Sequence, residues 1–269
     1  MAPQMVASAA SAPRAALVWR SNQSLSASAA SGARRKLIAR RLNAFIRLMA
    51  GAGGITPSGF IDALDKNTNW YILASMNKAQ RTRQFIVEKT APIFNVKGYA
   101  GTSLADMTEA TGLTKGSVYG NFANKEEVAL AAFDHNWKQA QAAVRAVMAT
   151  RETSKEQLLA LTGVYESLPE EFPVGGCPLL NTAIEADDTH PALREKAMEA
   201  FRGWKTHLVK VIKAGIASQE FRKDVDAEQT AVTLIALIEG AIMISRLTGN
   251  AGYSKAVMSA VEKTIVDLK

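Results

Sequence analysis

From Asn77 onward, apolar residues recur at the three- and four-residue spacing of helices that bury one face, and no strand-like alternation of useful length appears. Phe85, Ile86, Thr90, Ile93 and Phe94 lay out a first helix over 80–95, with Gly98 as its stop. Leu104, Met107 and Thr111 share one face of a short helix over Leu104–Thr111. Val118 and Phe122 lie four apart on a second short helix reaching about 122, so the two bury a common seam. Ser103 with Asp106 reads as a capping box, Gly112 as a left-handed turn, and Thr114 as the next cap. Asn124 with Glu127 opens a long helix to about 150, and Ser154 with Gln157 opens one to about 168. After the punctuation of Gly175 and Gly176 come helices over Pro178–Ala186, 192–218, 227–247 (opened by Asp226 with Gln229) and 254–268 (opened by Ser254). The pattern predicts an all-α chain with nine helices after Met76.

Two short helices joined at a glycine turn, each opened by a hydroxyl cap, have the layout of a helix-turn-helix DNA reader. Lys115, Ser117, Tyr119 and Asn121 fall largely outside its seam. Charge supports this only after division by position. The 269 residues carry a net +7, but residues 1–75 hold 9 Lys and Arg against 2 Asp and Glu. Residues 76–125 hold 7 against 3, and residues 126–269 hold 16 against 20. A basic module ahead of an acidic body is the asymmetry of a phosphate-facing reader joined to a regulatory domain. Residues 1–75, rich in Ala and Ser, are expected to be a disordered or mis-assigned N-terminal extension. Their composition fits a transit peptide, a basic DNA-binding arm, or an upstream extension of the frame with Met76 as initiator, and the abrupt onset of patterning at Met76 favours the last.

One cysteine, Cys177, excludes an internal disulfide and a multi-cysteine metal site and fits a reducing cytoplasm. Glu185, Asp187, Asp188 and His190 are spaced as a helix end followed by a cap before Pro191, so no metal is expected there, and no cofactor anywhere. The stretch 231–247 is the most apolar, but Glu239 and Arg246 interrupt it and it falls short of the roughly 20 residues a spanning helix needs. A buried helix and no membrane partner are expected. No phosphate loop or paired-acid site appears. An enzyme would have to combine Cys177 with His135, His190 or His207, none of which the sequence places beside it, so no enzyme is expected.

The runs F-N-V-K-G-Y-A-G-T-S, L-A-D-M-T-E-A-T-G-L-T-K-G-S-V-Y-G-N-F and N-K-E-E make residues 77 to about 135 resemble the DNA-binding domain of the TetR family of bacterial transcriptional regulators, of the TetR/AcrR type. G-C-P-L-L-N-T-A-I-E-A-D onward is similar to the regulatory region of one TetR subgroup. Thr108 stands where a small Ala is usual, and Gly120-Asn121 stand where an aromatic and a His are common. The resemblance implies a three-helix helix-turn-helix DNA-binding domain over 76–125 followed by a helical effector-binding and dimerisation domain over 126–269. It implies a homodimeric transcriptional regulator of the bacterial cytoplasm, most often a repressor, that binds a palindromic double-stranded DNA operator and is released by a small-molecule effector.

DNA contacts are then expected from Thr102, Ser103, Thr114, Lys115, Ser117, Tyr119, Asn121 and Lys125, with Lys78, Arg81 and Arg83 as a basic leading arm. Each has a plainer reading. Thr114 and Ser117 serve as caps, Tyr119 packs between helices, Asn121 ends its helix, and Lys125 opposes the helix dipole at its position. Phe133, Trp137, Tyr165, Cys177, Leu180, Phe201 and Trp204 are the expected effector walls, and the same residues suit any helical core. Leu234, Ile238, Ile242, Val261 and Ile265 mark the apolar faces expected to form a four-helix dimer bundle. The competing readings are a redox or electrophile sensor acting through Cys177, a constitutive binder without effector, and an enzyme using Cys177.

Overall fold

Asn77, the first residue that the computed structural model describes, already caps a helix; the description covers residues 77–166 and 172–269. The readings of residues 1–75, and the helix end expected near 168, lie outside it. Among the described residues all regular structure is helical, in nine helices. They are α1 (Lys78–Gly101), α2 (Leu104–Thr111), α3 (Lys115–Tyr119), α4 (Lys125–Met148), α5 (Ser154–Glu166), α6 (Pro178–Ala186), α7 (Pro191–Ala217), α8 (Ala227–Thr248) and α9 (Ala251–Val266).

Two hydrophobic cores follow. The first gathers Ile86, Val87 and Phe94 of α1, Met107 of α2, Val118 of α3, Phe122, and Val128, Ala129 and Ala132 from the first turns of α4. The second fills the space among α4 to α9, with Leu158, Leu161, Leu208, Ile212, Leu234, Ile238, Met258 and Ile265 fully buried. Helix α4 serves both cores. Its 24 residues make a rod of about 36 Å, and Phe133, Ala140, Val144 and Met148 continue its buried face into the second core.

Local chemistry moves several boundaries. Helix α3 is five residues long rather than reaching 122. The Gly120 amide donates to the Gly116 carbonyl at 2.8 Å, the Asn121 and Phe122 amides both donate to the Val118 carbonyl, and the Asn121 side-chain amide folds back onto the Ser117 carbonyl at 2.9 Å. Helix α5 is opened by Thr153 and Glu156, which exchange side chain to backbone bonds one residue before the expected pair; Ser154 is buried. Helix α9 begins a turn early, because left-handed Gly249 closes α8 and Asn250 caps at once. At the head of α4, Asn124 accepts from the Glu127 amide, but the Glu127 carboxylate turns to the Ala123 amide and to Arg83 instead of completing a box.

Helix α8 corrects two expectations. With 22 residues and a mean hydropathy of 1.7 in its most apolar stretch it is long enough to cross a membrane, yet only 39% of that stretch is buried, so it is not simply a buried helix. Leu234, Ile238 and Ile242, expected on a dimer face, point inward against Val261 and Ile265 of α9, and all five belong to the chain's own core. The outward stripe consists of Val232, Ala236, Gly240, Met243 and Leu247, continued on α9 by Tyr253, Ala256 and Ala260. A helix apolar on both sides shows no preferred face in its periodicity, so the sequence pattern does not separate the inner set from the outer one.

Candidate functional site

Buried Val118 and Phe122 pin α3 against α1, α2 and α4 and so fix which of its side chains face outward. Thr114 caps α3, its hydroxyl accepting from the Ser117 amide at 3.2 Å, and is exposed. Lys115 is exposed and has no ion-pair partner among the described residues. Ser117 and Tyr119 are half-exposed, and no described group bonds the Tyr119 hydroxyl. The edge of α3 therefore presents a cation and unsatisfied hydroxyl groups, which suits phosphate and base edges.

Other expected contacts are already engaged. Thr102 is fully buried and its hydroxyl donates to the Gly98 carbonyl at 2.6 Å; this removes its side chain from any phosphate surface. The Ser103 hydroxyl exchanges bonds with Asp106 in the complete capping box of α2. Lys97 bonds Asp106 at 2.5 Å and, with Ser103, holds that carboxyl well below the usual range. The Asn121 amide is spent on ending α3. Lys125 lies over the Tyr99 ring, 4.4 Å from its centroid, a cation–π contact that offsets its unfavourable place at a helix N-terminus. Arg83 is not a free arm. It donates to the Asn121 carbonyl and to Glu127, both at 2.5 Å, and its guanidinium sits 3.9 Å above the Phe122 ring, clamping the turn behind α3. Backbone bonding from Ala123, then Arg83, lowers the Glu127 pKa.

The nine-residue helix α6 ties this reader to the second core. Its Glu185 carboxylate accepts from the Tyr99 and Ala100 amides at 2.7 and 2.8 Å. Gly98, at φ +73°, bends the end of α1 to make room, since a Cβ there would lie 2.5 Å from that carboxylate. At the other end of α6, Asn95 donates to the Val174 and Gly176 carbonyls, and Asn181 donates to the Asn95 and Gly175 carbonyls. Gly175 and Gly176, both at positive φ, let this loop fit between Asn95 and Arg246 of α8. His190 caps α7, stacks edge-on against Tyr99 and lies 3.6 Å from Glu126.

A small cavity of about 30 Å³ lies in the second core, room for one or two waters. Of the seven expected wall residues, Trp137, Tyr165, Cys177 and Trp204 line it. Phe133 lines a separate space beside Asn95 and Tyr99, and Leu180 and Phe201 pack against the core without reaching either. Ala140, Gln141, Val144, Arg145, Phe172 and His207 complete the wall. Gln141 and Arg145 follow Trp137 at four and eight residues, and His207 follows Trp204 at three, a helical spacing that the sequence already displayed. His207 thus shares a cavity with Cys177, contrary to expectation, but the thiol donates to Glu239 at 2.9 Å and makes no bond to the imidazole. Burial, then the Glu239 charge, pushes the Cys177 thiol well above its ordinary pKa, and burial raises Glu239 to about 7.

Residues 86–132 match the family model described as bacterial regulatory proteins, tetR family, and residues 154–261 match tetracyclin repressor-like, C-terminal domain. A TetR-family transcriptional regulator from Cytophaga hutchinsonii is 55% identical, with a TM-score of 0.71 over 72% of this chain and 98% of that one. This chain belongs to the TetR family. Among curated TetR-type relatives, the HTH-type transcriptional repressor DhaR of Mycobacterium sp. (strain GP1) is 26% identical over 168 residues, 62% of this chain and 84% of its own. The regulator CifR, as a cysteine mutant with 26-bp double-strand operator DNA, shares the fold at 21% identity and a TM-score of 0.59, over 69% of this chain and 96% of that one.

Membership makes the α1–α3 unit a helix-turn-helix DNA-binding domain and the chain a transcriptional regulator, in a family whose members are not enzymes. The two departures from the common TetR pattern have local explanations. Thr108 folds its hydroxyl onto the Ala105 carbonyl at 3.0 Å, so the larger side chain adds no unpaired group to α2. Gly120-Asn121 trade a bulky pair for a tighter end to α3.

Proposed function

We propose that this regulator is a repressor that grips a palindromic operator as a homodimer, through Thr114, Lys115, Ser117 and Tyr119, and lets go when a small molecule occupies the cavity between α4 and α7. The exposed Lys115 and half-exposed Tyr119, held outward by buried Val118 and Phe122, are the observation that carries it. The proposed division is a reader over 76–125 and an effector and dimerisation domain over 126–269, with the first turns of α4 completing the reader core. The family relationship, the repressor among its relatives and the operator-bound neighbour support DNA as partner, and a bacterial cytoplasm is the compartment such a partner requires. No metal or cofactor enters this reading.

Lys115→Ala will weaken operator binding and lower the slope of log affinity against log salt by about 1 per reader, while Tyr119→Phe weakens it less. Gel-shift titrations at several salt concentrations measure both. Wild-type affinity in both variants would sink the reading.

Dimerisation is expected on the outward stripe of α8 and α9, where Leu247 is 81% exposed and Gly240 opens space for close helix approach. Two copies joined there give four helices and set the reader spacing, which an operator demands near 34 to 36 Å. Met243→Asp places a charge in that seam from an exposed position, so the fold survives. It will raise the dimer dissociation constant on the order of a hundredfold, read by light scattering on dilution. A dimer unchanged by Met243→Asp would move the interface elsewhere.

The route from cavity to reader runs through α6, which begins after Cys177 and ends with Glu185 holding the bend of α1. A shift of α6 changes how α1 carries the reader, and a ligand that favours the shifted state favours release. A reactive-thiol mechanism has less support, because Cys177 is buried, bonded to Glu239 and held protonated, the reverse of an activated thiolate.

A further inference from the structure

The cavity has a polarity that its packing does not explain. Four aromatic rings pass through its wall in succession, Trp137 to Trp204 and Trp204 to Tyr165 with centroids 6.2 Å apart, then Tyr165 to Phe172 at 6.1 Å. Such a series offers ring faces and edges to another flat ring. One end of the wall is cationic. Arg145 lies there with its guanidinium 3.1 Å from the Gln141 side-chain oxygen, and Lys210 stands close enough for its charge, like that of Arg145, to act on His207. The His207 Nε2 atom is buried and has no hydrogen-bond partner, a cost that folding alone does not recover. No carboxylate lines the cavity among the described residues; Glu239 stands behind Cys177, which occupies one of its oxygens.

We infer that the cavity takes a planar aromatic acid, its ring among Trp137, Trp204 and Tyr165 and its carboxylate turned to His207 Nε2 and Arg145. The inference rests on the effector reading above and narrows it to a ligand class. The acid supplies the acceptor that His207 lacks and an opposite charge for Arg145; a neutral alcohol offers only an uncharged acceptor, and an ammonium offers none. The free space is only about 30 Å³, so a ring enters by turning half-exposed Trp137 outward.

Calorimetric titration of the full chain with naphthoate, naphthylmethanol and naphthylmethylammonium tests this. Naphthoate should bind about tenfold more tightly than the ammonium. Arg145→Met, at an exposed position, and His207→Phe should each erase most of that preference, read as the ratio of naphthoate to ammonium affinity within each variant. Equal or tighter binding of the ammonium, or a preference that survives in Arg145→Met, overturns the inference. Operator gel shifts on the same protein separate the two levels. A chain that binds operator but none of the three probes overturns the ligand class and leaves the regulator standing; one that binds naphthoate with the stated preference but no operator overturns the regulator alone.

Discussion

Replacing Phe122 by alanine will lower folding stability by about 3–5 kcal/mol and abolish specific DNA binding. Phe122 is 2% exposed, closes the seam between α2 and α3, and carries the Arg83 guanidinium on its ring. Truncation leaves a cavity under the recognition helix and removes the surface on which Arg83 holds the Asn121 carbonyl and Glu127. Phe122→Leu keeps most of the volume and loses only the ring stack, so it will cost much less. Urea unfolding gives the stability, and amide exchange shows that the loss begins in α2 and α3. A Phe122→Ala protein that unfolds at the wild-type urea midpoint would refute this account of the reader.

The second large effect is set by pH at Glu239. Burial raises its carboxyl from 4.5 to about 7, so between those values the unfolded chain has released a proton that the folded chain keeps. The contribution of this group is intact below about pH 4.5 and is lost as pH rises through 7. The loss is about 3 kcal/mol. His135 and His207 have lowered pKa values, chiefly from burial, and act oppositely by costing stability as pH falls. The informative quantity is therefore the difference between wild type and Glu239→Gln, which keeps an acceptor for Cys177 and removes the titration. The variant will match wild type near pH 4.5 and exceed it by that amount at pH 8, measured by chemical denaturation. Parallel profiles for the two proteins would show that Glu239 is not the group responsible.

The fold was legible because its signals are local. Ser103, Thr114, Asn124 and Asp226 each cap the helix that follows, and each cap is a bond spanning a few residues. The reader was legible as a motif, but not which of its polar groups remain available. Lys97 and Asp106, nine apart, neutralise each other, while Arg83 finds its partners 38 and 44 residues away. Basic residues 76–125 therefore overstate the cationic surface, and on α3 it is Lys115 that stays exposed, without an ion-pair partner among the described residues.

Helical periodicity settles the number, order and approximate ends of the helices, and a stretch of family-like residues settles the identity of the reader, since both depend on neighbours within one or two turns. Three matters were decided only by tertiary packing. It turned Leu234, Ile238 and Ile242 inward and Val232, Met243 and Leu247 outward on a helix apolar on both sides. It brought Cys177 and His207 to one cavity, with Glu239 behind the thiol, from three helices or their ends. It closed Glu185 on the amides after Gly98, 85 and 86 residues away along the chain. Contacts across such separations depend on how whole helices cross, and no local pattern of polar and apolar residues encodes the crossing.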